Sequence, residues 1–148
     1  MTDVIALVVA GILIPISALH FIWATGRPWP MRDREGLART VIGSERSLTH
    51  PPTGLVTACV ALLILVAAVL PLCLAGLVAS PLPPWTLRGL VALQALVFLA
   101  RGFVGYSAWG RQAAPLEPFR TYNLRFYNPL ILALGLLCGL LAALETGG

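Results

Sequence analysis

A histidine inside an apolar run is the first chemistry the chain offers: His20 stands in "ISALHFIWATGRPWP", with Trp23 three residues on. Imidazole titrates near neutrality and both donates and accepts hydrogen bonds, so it can move a proton or hold a polar head group. A second apolar run carries Arg101, in "LARGFVGY", whose guanidinium stays protonated at any working pH. Tyr127 and Asn128 open a third in "RFYNPLIL", adding a phenol and an amide. No carboxylate lies in an apolar run at the depth of Arg101 to neutralise it. An arginine in that position is a functional candidate, because an unpaired guanidinium with neutral hydrogen-bonding neighbours suits an anion. His20, Trp23, Arg101, Tyr127 and Asn128 are therefore the candidate ligand-binding residues. The plainer alternatives are that Arg101 snorkels to the head groups and that His20 ties the first span to Thr57 or a backbone carbonyl.

The elements that must position these groups follow from composition. The chain is 58% hydrophobic and 11% charged, with a mean hydropathy of +0.87, whereas a soluble domain is about a quarter charged. Four runs are long enough to cross a bilayer, at 4–25, 53–79, 85–106 and 127–144. The expected fold is all-α: a polytopic membrane protein, one domain over 1–148, built as a four-transmembrane-helix bundle. The first run has Asp3 in place of a basic flank and is too long for a leader's apolar core, so it is expected to remain as a helix. Cys59, Cys73 and Cys138 show no C-x-x-C spacing and read as buried free thiols, so no metal or cofactor is expected. Lysine is absent, and the arginines flank apolar runs without forming a continuous basic patch, which argues against nucleic acid as a partner. Membrane lipids are the expected partners, with other membrane subunits or a second copy of the chain as further ones.

Arg27, Arg32, Arg34, Arg39 and Arg46 crowd the first connector, and Arg111, Arg120 and Arg125 the third. The short second connector and both tails hold none, which predicts both arginine-rich loops on the cytoplasmic side and both termini outside a bacterial inner membrane. In the first connector Asp33 can cap a helix with Leu37, Ala38, Val41 and Ile42 on one face and Gly43 as its stop. That helix is expected either along the inner membrane surface or folded back on the helix ends. Asn128-Pro129 reads as a cap and first turn, giving a last helix of about 24 Å whose N-terminus would aim at His20 and Arg101. Gln94, Phe98, Arg101 and Gly105 share a stripe of the third span, and Gly135 and Gly139 permit close packing within the chain.

"LHFIWATG", "LARGFVGY" and "FRTYNLRFYNPLIL" together resemble a bacterial family of small four-span membrane proteins known as a domain of unknown function. The resemblance rests on a His-x-x-Trp followed by glycine (His20, Trp23, Gly26), an Arg-Gly with a further glycine (Arg101, Gly102, Gly105), and a Phe…Asp…Tyr-Ser-Pro (Phe119, Tyr127, Pro129). Asn123 stands where that pattern has aspartate and Asn128 where it has serine. The resemblance implies a fold and a polar cluster, with one potential partner of Arg101 removed; it supplies no activity.

Three function classes compete. A non-enzymatic binding or accessory protein needs only an inner-leaflet site for an anionic lipid or amphiphile, and the short loops suit it. An enzyme acting on a lipid-like substrate would use His20 as acid or base and Tyr127 as a proton donor, yet no carboxylate orients the ring and no nucleophile is paired with it. A small transporter working as an oligomer is the third, without the paired broken helices typical of that class. The first is the reading the residues favour.

Overall fold

A computed structural model describes residues 1–145. The chain forms α1 (Thr2–Ala24), α2 (Arg34–Leu37, running on as a π-helical turn, Ala38–Ile42), α3 (Arg46–Thr49), α4 (Gly54–Leu74), α5 (Pro84–Tyr106), α6 (Ala108–Ala113) and α7 (Phe119–Leu144). Among the described residues α1, α4, α5 and α7 are long and apolar enough to cross a membrane. They are antiparallel neighbours in sequence order, and together make the expected all-helical bundle.

The boundaries differ from expectation at two places. The second span ends at Leu74, five residues before the apolar run does. The last helix begins at Phe119, well before Pro129, so Asn128 lies inside the helix with φ −64° and caps nothing. The physical reason is the π turn at Asn123–Tyr127. Pro129 cannot donate to the carbonyl one turn back and its ring crowds that carbonyl, and the wider turn just before it lets the helix continue. The idea of a helix N-terminus aimed at His20 and Arg101 is thereby overturned.

In a bilayer the lipid is as apolar as the side chains, so helices associate through close van der Waals contact and hydrogen bonds. Small residues provide the first. A Cβ on Gly54 would sit 2.6 Å from the Ala24 carbonyl oxygen, and one on Gly135 would sit 2.9 Å from Leu99 Cγ. Gly102 against Leu132 extends the α5–α7 seam in the same register. Ala6, Val9, Ala61, Ala68, Val91 and Cys138 fill the centre, while Leu63, Leu96 and Leu136 point outward as a lipid-facing surface does. Cys59 belongs to that outer surface, contrary to its expected burial.

Hydrogen bonds between spans are few and well placed. The buried Ser17 hydroxyl donates to the Ala61 carbonyl at 2.8 Å, joining α1 to α4. Gln94 Nε2 donates to the Ala67 carbonyl at 2.9 Å, joining α5 to α4. Ser17→Ala is expected to weaken the bundle by about 0.6 kcal/mol and no more than about 1.7. Denaturation in mixed detergent micelles checks it; a loss above that range would give Ser17 a second role.

The first and third connectors meet at one end of the bundle. Leu116 N–H donates to the Gly43 carbonyl at 3.0 Å, and the Phe119 ring lies where a Gly43 side chain would be. Gly43 has φ +74°, the left-handed conformation that ends α2's π turn. The arginine-rich loops therefore share one face, opposite the short 75–83 turn and the N-terminus.

Candidate functional site

Asp33 Oδ1 accepts from Gly36 N–H at 2.7 Å and starts α2, as the sequence predicts. The apolar stripe of that segment does not lie on the membrane surface. Leu37, Ala38, Val41 and Ile42 roof a cavity of about 550 Å³ at the loop end of the bundle. Of the two expected placements, the fold-back on the helix ends is the one adopted.

Below this roof the walls come from the spans. His20, Trp23 and Ala24 of α1 face Thr57 and Val60 of α4, and Arg101 of α5 closes the deep side with Phe119 of α7 nearby. Two pairings set the depths. Ser17 is level with Ala61 and Gln94 with Ala67, so the Arg101 backbone is level with Val60 and that of His20 lies about 3 Å nearer the loops. Arg27 and Arg34 line the cavity at its loop end.

His20 Nδ1 lies 2.8 Å from the carbonyl of Ile16 in its own helix. A carbonyl only accepts, so Nδ1 carries the proton and Nε2 is the nitrogen left for other partners. The ring packs on Trp23 at a centroid distance of 4.7 Å, and Trp23 Nε1 donates to the Trp29 carbonyl at 2.7 Å. His20 makes no bond to Thr57, whose hydroxyl donates within its own helix to Thr53 O. Ser17, one turn deeper, performs the inter-span tie the sequence assigned to the histidine.

Arg101 Nη1 donates to Asn128 Oδ1 at 3.2 Å and Nη2 to Asn123 Oδ1 at 3.3 Å. Both partners are neutral amides, so the guanidinium is oriented without losing its charge. Asn128 is fully buried, and its Nδ2 has no partner. Turning the amide over would set its NH₂ against the guanidinium, donor to donor, so the orphan nitrogen is what the Arg101 bond requires. Asn123 and Asn128 reach one guanidinium only because of the π turn; in an α-helix five residues set side chains about 140° apart.

Tyr127 and Asn128 do not line the cavity. Tyr127 donates to the Thr40 carbonyl at 3.3 Å and packs on Phe119 at 5.8 Å, holding the roof to α7. Asn128 stands behind Arg101. Arg27, Arg34 and Asn123 are additions to the candidate site: in the sequence both arginines read as topology signals, Arg34 also as a neighbour of anionic lipid, and Asn123 as a departure from a pattern. The signal that could have found the arginines is their position on either side of the apolar stripe that forms the roof.

Among the described residues the one ion pair joins Arg39 to Glu35, at 2.9 Å, outside the cavity. Arg27, Arg34 and Arg101 thus have no carboxylate within ion-pair distance. Among those residues, too, no three His, Cys, Asp or Glu side chains come together as a metal cage. The chemistry of the cavity is that of guanidinium, imidazole and amide groups against an apolar wall.

No curated protein and no solved structure matches the chain. The family described as "Protein of unknown function (DUF3995)" matches residues 13–138, which take in His20, Arg101, Asn123 and Asn128. The chain, a four-span helical bundle with this polar layer at its loop end, belongs to that family.

Proposed function

We propose that the protein is a non-enzymatic binding or accessory protein of the bacterial inner membrane that holds an anionic amphiphile in the cytoplasmic half of the bilayer. One observation carries the reading: three arginines line a single cavity, and among the described residues no carboxylate is paired to any of them, beside an apolar wall. All three side chains are exposed in the structure; a cation without a counter-charge is costly at membrane depth, and a bound anion relieves it. The arginines gathered at that end support a cytoplasmic cavity, with both termini outside, by the positive-inside rule.

The route in is lateral. The side toward α7 is sealed by Tyr127 on Thr40 and by Leu116 and Phe119 on Gly43. Between α4 and α5 no hydrogen bond among the described residues closes the gap on the loop side of Gln94, and the cavity residues Val56 and Val60 are exposed there. A head group enters beside Arg101 while its chain stays in the lipid.

Native mass spectrometry of the wild type and Arg101→Gln, extracted in the same mild detergent, tests the reading. A defined lipid adduct is expected on the wild type, at least about tenfold weaker in the variant. Equal adducts on both, or none on either, would remove the binding function.

A further inference from the structure

Three guanidiniums around one cavity are more charge than a simple carboxylate can answer. Resting on the binding reading above, we infer that the ligand is a single-headed phosphate lipid, a phosphomonoester or diphosphate, bridged between Arg101 inside and Arg27 and Arg34 at the mouth.

The arginines stand at two levels. Arg101 is in α5, level with Val60, and keeps three of its five N–H groups after the bonds to Asn123 and Asn128. Arg34 folds its guanidinium back over the end of α1, where Nη2 lies 2.7 Å from the place a Gly26 side chain would start. That sets it beside Arg27. Neither Arg27 nor Arg34 makes a side-chain hydrogen bond or ion pair among the described residues, so their donors are free for a ligand.

Chemistry then selects the head group. A carboxylate brings one negative charge and two oxygens, which a single guanidinium fork satisfies. A phosphomonoester brings about 1.5 to 2 negative charges and three terminal oxygens, enough to engage arginines at both levels. Basic pockets between transmembrane helices on the cytoplasmic side are suited to phosphate head groups for this reason. Gly26, at φ +86°, is the position that lets Arg34 take its place: a side chain there would strain the backbone and push the guanidinium away.

The test uses three probes against the full chain in one detergent: tetradecyl phosphate, tetradecanoate, and methyl phosphate as the head without its tail. Native mass spectrometry reads retention on the wild type and on Arg27→Gln/Arg34→Gln, whose exposed side chains contribute no bond to the fold. Tetradecyl phosphate is expected to be held at least about tenfold more tightly than tetradecanoate, with the ratio falling to about one in the double variant. Equal retention of phosphate and carboxylate by the wild type, or an unchanged ratio in the double variant, would overturn the phosphate assignment and leave the binding reading standing. Methyl phosphate bound as tightly as its long-chain counterpart would make the ligand a soluble phosphate instead. Retention of none of the three would bring down the binding reading itself.

Discussion

Asn123→Asp is expected to empty the cavity while leaving the bundle folded. The amide oxygen of Asn123 accepts from Arg101 Nη2 at 3.3 Å in a buried position, and aspartate would put a carboxylate oxygen in the same place with almost no change of shape. The guanidinium then has a resident counter-ion, and an incoming anion meets a negative charge beside the cation supplied by α5. Close charge pairs couple by about 1.5 kcal/mol or more, so affinity for tetradecyl phosphate should fall by at least about tenfold. Thermal stability should hold or rise, because the same pair compensates a lone charge in the resting protein. Undiminished binding by a folded Asn123→Asp protein would show that Arg101 does not meet the ligand. Binding and stability are expected to move in opposite directions, which separates this outcome from simple misfolding.

An aspartate at position 123 would pair with Arg101 and tie α5 to α7. With asparagine the geometry is kept and the charge is released. One substitution of nearly equal shape therefore decides whether Arg101 is paired or free for the proposed ligand.

Most of the architecture was legible because it follows from local rules. Four apolar runs, Asp33 as a cap and Gly43 as a stop each depend on residues close together in sequence, and the chain adopts them. The site was legible only in part. His20, Trp23 and Arg101 do gather around one cavity, since a polar residue in a span has few places to go. The role of Asn128 was misread, because Asn-Pro resembles a helix start and nothing local announces the π turn that carries the helix through it. Tyr127 donates to the Thr40 carbonyl from outside the cavity lining, a contact 87 residues away in sequence that no local signal announces. The roof was left open between two placements, because an amphipathic segment buries its apolar face equally well in lipid or over a cavity, and only tertiary contact decides.

Gly105→Ala should be the most damaging of the small substitutions. A Cβ at this position would overlap the terminal amide of Asn128, and Asn128 is fully buried with α5 and α7 already in contact through Gly102 and Gly135. Either the helices separate or the amide swings off Arg101. Overpacking of a close seam costs about 1–3 kcal/mol, and losing a hydrogen bond to a charged group about 1.5–3 more. The expected result is a loss of roughly 3 kcal/mol or greater in detergent denaturation, together with loss of the lipid adduct. Gly139→Ala is the matched control: the same residue type one seam contact away would meet only Ala95 Cβ, at 3.8 Å, an ordinary van der Waals distance. It should be neutral, or slightly stabilising because alanine favours the helix by up to about 1 kcal/mol. Equal effects at the two glycines would mean that the α5–α7 seam responds only to helix propensity. A large effect confined to Gly105 would tie that glycine to the amide that aims Arg101, and through it to the charge in the cavity.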